Sequence, residues 1–107
     1  MNDYYEVYLA IGGNTKPRRR FLTDCLNLLN AVFPVGFNHS SFYRTDPFLG
    51  LDQPSYLNSC ARILTNDSPV SVLSKTSAIE QKLGRIRDGS KWQDRTIDID
   101  ILLYGNK

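Results

Sequence analysis

Asp98 and Asp100 stand one residue apart in RTIDIDIL, residues 95–102, and alternate with Ile97, Ile99 and Ile101. That alternation is the period-two pattern of a half-buried strand. The isoleucines take the core face and the carboxylates share the other, with Cβ atoms roughly 6–7 Å apart at a rise of about 3.3 Å per residue. Like charges on one strand face repel, and Asp is a poor strand former, so a sheet gains nothing from the pair. The separation suits one or two Mg²⁺ ions, whose usual sites combine one or two carboxylates with substrate phosphates. Arg85, Arg87, Lys91, Trp92 and Arg95 precede the pair. Cationic loop residues beside a carboxylate metal site are equipment for phosphoryl transfer, in which charge spreads over phosphate oxygens. The plain alternative is a solvated strand face with compensating arginines. Trp92 follows no apolar period; it is either a core plug or a residue that covers a ligand when its loop, with Gly84 and Gly89, closes.

A strand carrying this pair must be positioned by neighbours. Tyr4–Ile11 is rich in strand formers and ends at Gly12-Gly13-Asn14, a turn signal. Thr15 is placed to cap a helix with Pro17 in its first turn, and Phe21, Leu22, Cys25, Leu26, Leu28, Leu29 and Val32 recur at helical spacing up to Phe33-Pro34. Val35–Tyr43 reads as a second strand, 46–54 as a loop, and Tyr56–Leu64 as a third strand. Ser68 as N-cap and Pro69 at the first position open a second helix, with Val72, Leu73, Thr76, Ile79 and Leu83 as its stripe. Gly84 falls where a left-handed C-cap belongs, and Thr96–Tyr104 is the last strand. The order β-α-β-β-α-β predicts one α+β domain over residues 1–107, of the ferredoxin-like kind. Its four-stranded antiparallel sheet carries two helices on one face. Right-handed crossovers put the first and third predicted strands in the centre and the fourth beside the first. Asp98 and Asp100 then look out from the open face.

Several functions are excluded or unsupported. A net charge of +2 over 107 residues gives no electrostatic case for nucleic acid or an anionic membrane, and no apolar run approaches a bilayer span. The start, Met1-Asn2-Asp3, has no signal-peptide character, so a cytoplasmic setting is expected. Cys25 and Cys60 sit among apolar residues without metal-ligand spacing and read as reduced core thiols. Nucleophilic triads, dinucleotide fingerprints and Walker patterns are all missing. An RNA-recognition module of the same element order would carry aromatic and basic residues on its third strand, which here reads YLNSCARIL. Arg18-Arg19-Arg20 reads as a solvated basic face, and His39 as a structural or surface residue.

YLAIGGN (8–14), SSFYRTDP (40–47), DQPSYLN (52–58), LGRIRDGSKW (83–92) and DRTIDIDILLYGN (94–106) together resemble the 6-hydroxymethyl-7,8-dihydropterin pyrophosphokinase family of folate biosynthesis, in the family's order and spacing. The resemblance implies transfer of the β,γ-diphosphate of ATP to the pterin's hydroxymethyl oxygen, with release of AMP. It assigns two Mg²⁺ ions to Asp98 and Asp100, and phosphate handling or loop closure to Arg85 and Arg95. Arg87, Trp92 and Ile101 join the ATP site. Thr45, Pro47, Phe48, Tyr56 and Asn58 are placed at the pterin, a flat ring with a polar rim that stacking and amide hydrogen bonds would hold. Asp46, Ser77, Gln93 and Asp94 depart from the family pattern. The family also continues past the position of Lys107, so the chain is expected to be C-terminally short. It would then be an active enzyme, a part of a larger folate enzyme with a fused or neighbouring domain, or a silent member that binds nucleotide or a partner chain.

Overall fold

A computed structural model describes residues 4–46, 55–84 and 97–105. Strand β1 (Tyr5–Gly13) leads to helix α1 (Arg18–Val32), followed by short strands β2 (Asn38–His39) and β3 (Tyr43–Thr45). Then come β4 (Tyr56–Thr65), α2 (Pro69–Lys82) and β5 (Asp98–Tyr104). The strands form one antiparallel sheet in the order β2-β4-β1-β5, and β3 follows β2 along the same edge of β4. The fold is α+β and ferredoxin-like. Both long strands are central and β5 lies beside β1, as the element order predicts.

Alternation drives this arrangement. Val7, Leu9 and Ile11 of β1, Ala61 and Ile63 of β4, Ile97 just before β5 and Ile99 within it all point to one face. They meet Leu22, Cys25, Leu26 and Leu29 of α1 and Val72 and Ile79 of α2 in a single buried cluster. Each fully buried aliphatic side chain contributes about 1.5–3 kcal/mol of transfer free energy, which is why both helices lie on that face. Burial, and then the negative charge of Glu80, push the Cys25 thiol up to about 12, so it stays a neutral core group.

The second helix starts as expected. Ser68 Oγ accepts the Ser71 N–H at 3.2 Å, Pro69 follows, and Gly84 closes the helix at φ +96°. The first helix does not start at Thr15. Its N-cap is Pro17, whose carbonyl accepts the Phe21 N–H at 3.1 Å and whose side chain makes no capping bond. Arg18 secures this end instead, donating to the carbonyl and hydroxyl oxygens of Ser55, each at 2.6 Å. Leu73 and Val32, expected in the stripes, are exposed, because each lies at the margin of its helix's apolar arc.

Three other expectations need correction. The strand expected at 35–43 is split, because Ser40 breaks the ladder: its Oγ accepts the Cys60 N–H at 2.9 Å, where a backbone carbonyl would stand. The Gly12-Gly13 turn is in fact the end of β1, with Gly12 paired to both Asn58 and Asp98. Cys60 is half-buried and on the open face, since even-numbered residues of β4 point away from the helices. A bulge at Leu102 also shifts the register between Leu9↔Ile101 and Tyr8↔Leu103. It returns Tyr104 to the covered side, where its hydroxyl donates to the Asp67 carbonyl, and leaves Leu102 and Leu103 exposed.

Candidate active site

The open face is organised in rows across the strands. One row runs Asp98 (β5), Gly12 (β1), Asn58 (β4), Tyr43 (β3); the next runs Asp100, Ala10, Cys60. The carboxylates therefore stand in adjacent rows, roughly 7 Å apart along β5, and each faces the smallest side chains on β1. A cleft of about 330 Å³ opens there, lined by Ala10, Ile11, Gly12, Tyr43, Tyr56, Asn58, Asp98 and Asp100.

Gly12 forms its floor. A Cβ at this position would collide with Asn58 Oδ1, so glycine is what lets the Asn58 carboxamide lie across β1. That carboxamide is already oriented: its Nδ2 donates to Thr45 Oγ1 at 3.0 Å and to the Tyr43 carbonyl at 3.3 Å. Its Oδ1 is the atom turned over Gly12 and the one suited to accept from a ligand N–H. Tyr43 Oη lies 3.7 Å from Cys60 Sγ. That contact, and then partial burial, raise the Tyr43 hydroxyl above the ordinary tyrosine range, so it remains a neutral donor.

Among the described residues, no cation lines the cleft and no group of three His, Cys, Asp or Glu side chains gathers anywhere. The protein offers two oxygen-donor side chains in an open, partly polar cleft. This donor set fits a hard divalent cation that completes its shell with water and phosphate oxygens, and it does not fit zinc, which takes three or four Cys, His or carboxylate ligands. Tyr43 and Tyr56 supply aromatic surface beside Asn58, matching a flat ligand with polar edges.

The structure brings together Tyr56, Asn58, Asp98 and Asp100 of the residues predicted from sequence. Thr45 stands behind Asn58 and reaches the site through it. Ile101 does not line the cleft; opposite Leu9, its side chain packs against the core. Pro47, Phe48, Arg85, Arg87, Trp92 and Arg95 lie outside the described residues. Ala10, Ile11, Gly12 and Tyr43 escaped the sequence reading. Continuing the alternation of β1 past Ile11 would have put Gly12, like Ala10 before it, on the carboxylate face.

Residues 8–107 match the family model for 7,8-dihydro-6-hydroxymethylpterin-pyrophosphokinase. The chain is 38% identical over 102 residues to the 2-amino-4-hydroxy-6-hydroxymethyldihydropteridine pyrophosphokinase of Haemophilus influenzae, covering 94% of this chain and 63% of that protein. The enzyme of the same name from Bacillus subtilis is also 38% identical over 102 residues, with 94% and 60% covered. A folate synthesis bifunctional protein of Arabidopsis thaliana is 33% identical over 102 residues, with 95% of this chain but 21% of that protein covered. The chain thus spans about three-fifths of the length of these bacterial relatives. Among the described residues, no helix is long and apolar enough to cross a membrane. With nearly its whole length matched, the chain belongs to the 7,8-dihydro-6-hydroxymethylpterin-pyrophosphokinase family.

Proposed function

We propose that the chain carries the pyrophosphokinase chemistry of its family, moving the β,γ-diphosphate of ATP onto the hydroxymethyl oxygen of 6-hydroxymethyl-7,8-dihydropterin and releasing AMP. The observation that supports this best is the cleft in which Asp98 and Asp100 face Gly12 and Ala10 beside Asn58, Tyr43 and Tyr56. Asp98 and Asp100 would hold Mg²⁺, two ions with ATP; the metal supplies charge neutralisation on the phosphate oxygens. Asn58, Tyr43 and Tyr56 would hold the pterin ring, Asn58 accepting at the rim and the tyrosines covering a face.

The hydroxymethyl oxygen forms a bond to the β-phosphorus, and the bond from that phosphorus to the α,β-bridging oxygen breaks. AMP leaves with the bridging oxygen and the hydroxyl proton passes to solvent. No side chain needs to act as nucleophile, so orientation and charge complementarity carry the catalysis. Arg85, Arg87 and Arg95 are the cations available in sequence to meet the phosphates, and Trp92 is the residue available to cover the bound nucleotide. Ile101, with its side chain in the core, would meet a nucleotide through its backbone on the outer strand.

Incubating the folded chain with Mg-ATP and the pterin tests this reading, with AMP as the product measured and Asp98→Ala as the control. AMP from the unmodified chain alone supports it. A folded chain that makes none defeats it and leaves the nucleotide-binding or partner-binding alternative.

A further inference from the structure

Behind the two aspartates, on the covered side of the sheet, lies a third carboxylate. Glu80 is only 4% exposed, at the last turn of α2 among Val72, Thr76 and Ile79. Carboxylates are almost never this buried unless something holds them, because burial without a strong partner is costly. Its Oε2 accepts the N–H of Ile99 at 2.7 Å, in the range of charge-assisted bonds. Ile99 is the residue between Asp98 and Asp100.

The location matters as much as the bond. Among the described residues, β5 is the outer strand of the sheet and Asp98↔Gly12 is the last pair of its ladder with β1. The carboxylate pair therefore sits at the end of an edge strand, where ladders fray most readily. Mutual repulsion of the aspartates works in the same direction. The Ile99 N–H belongs to the peptide that joins it to Asp98, so a bond there restrains the backbone on the inner side of both carboxylates. A leucine at 80 would fill the volume between helix and strand but could not restrain that peptide.

We propose that Glu80 is a positioning residue for Asp98 and Asp100: it pins the Ile99 amide from the helix side and thereby fixes the spacing and direction of the pair. This rests on reading the pair as the Mg²⁺-holding carboxylates of the ATP site. It acts through the Ile99 amide, which it meets from the helix side of the strand.

Glu80→Gln keeps the volume and removes the charge, and Glu80→Ala removes the bond. Without metal or nucleotide, amide NMR should show the Ile99 proton moving upfield in Glu80→Gln, with exchange faster by roughly 10-fold, as expected when a charge-assisted bond becomes a neutral one. Titration with Mg²⁺ and an ATP analogue uncleavable between the α- and β-phosphates should then show metal affinity reduced about 10-fold, with pterin affinity unchanged. If Glu80→Ala fails to fold, Glu80→Gln still decides. An unmodified chain that binds no Mg²⁺ with the analogue sinks the reading of the aspartates, and this inference with it. An unmodified chain that binds it, matched by Glu80→Gln, overturns the role of Glu80 alone. So does an unmoved Ile99 amide.

Discussion

Ile99 and Asp98 are one peptide apart and live under opposite rules. Ile99 faces two helices and is buried to the last few per cent, while Asp98 and Asp100 face an open cleft floored by Gly12 and Ala10. The same division runs through β1, with Leu9 and Ile11 against Ala10 and Gly12, and through β4, with Ala61 and Ile63 against Asn58 and Cys60. On the covered face these aliphatic residues supply volume. On the open face each is chosen for its polar atoms or for having almost no side chain. A sheet in this fold can therefore alter its chemistry without repacking its aliphatic core.

The division would be broken by a substitution on one face that produced the other face's effect. Asp98→Ala is expected to lower Mg²⁺-dependent AMP formation on the order of 10³-fold, the loss of several kcal/mol of metal-mediated stabilisation. Its thermal midpoint should stay close to that of the unmodified chain, because no core volume is lost with it. Unfolding of this variant would show that the open face carries structure. Ile63→Ala makes the converse test. Ile63 is fully buried on β4, away from the cleft. The cavity should cost about 2–5 kcal/mol in denaturant unfolding. Under conditions where the variant is folded, its KM for the pterin should be that of the unmodified chain.

Gly12→Ala probes the open face without touching a charge. The added methyl displaces Asn58 Oδ1 and strains the bonds from Asn58 to Thr45 and Tyr43. Pterin affinity should fall by about 1–3 kcal/mol, from polar groups left misaligned, while Mg-ATP affinity changes little. Equal losses for both ligands would mean that Gly12 serves the whole cleft and not the Asn58 side of it.

What the sequence made legible follows the same division. Alternation in IDIDI and the stripe of α1 expose the core directly, because burial of aliphatic groups is strong and periodic. Ser68-Pro69 marks the start of α2 because both residues act locally. The misses at Ser40, Gly12-Gly13 and Glu80 depend on contacts between distant segments. Ser40 replaces a ladder carbonyl only once Cys60 lies opposite it. Gly12-Gly13 reads as a turn until Asn58 and Asp98 flank it. Glu80 sits eight residues after Val72 and four after Thr76, on the buried stripe. Its charge argued for solvent, and its partner, a backbone amide of β5, has no side-chain signature. Of the predicted site, the carboxylates, Tyr56 and Asn58 come together because strand parity and order suffice to place them. The arginine and tryptophan loop, outside the described residues, has no periodicity from which to place it.

The smallest expected effect separates Glu80 from the helix that carries it. Ser68→Ala removes the bond to the Ser71 N–H at the far end of α2. Loss of such a cap costs about 1 kcal/mol, measurable as a lower midpoint in denaturant. Ser68 lies about three turns from Glu80, so the terminal N–H it satisfies can turn to water without shifting the last turn. Mg²⁺ dependence in Ser68→Ala should therefore match the unmodified chain, even though its stability does not. Should the Mg²⁺ requirement rise in step with the lost stability, α2 would influence the aspartates through its general firmness. A helix that loses stability while the metal requirement holds would leave the bond from Glu80 to the Ile99 amide as the link between the two faces.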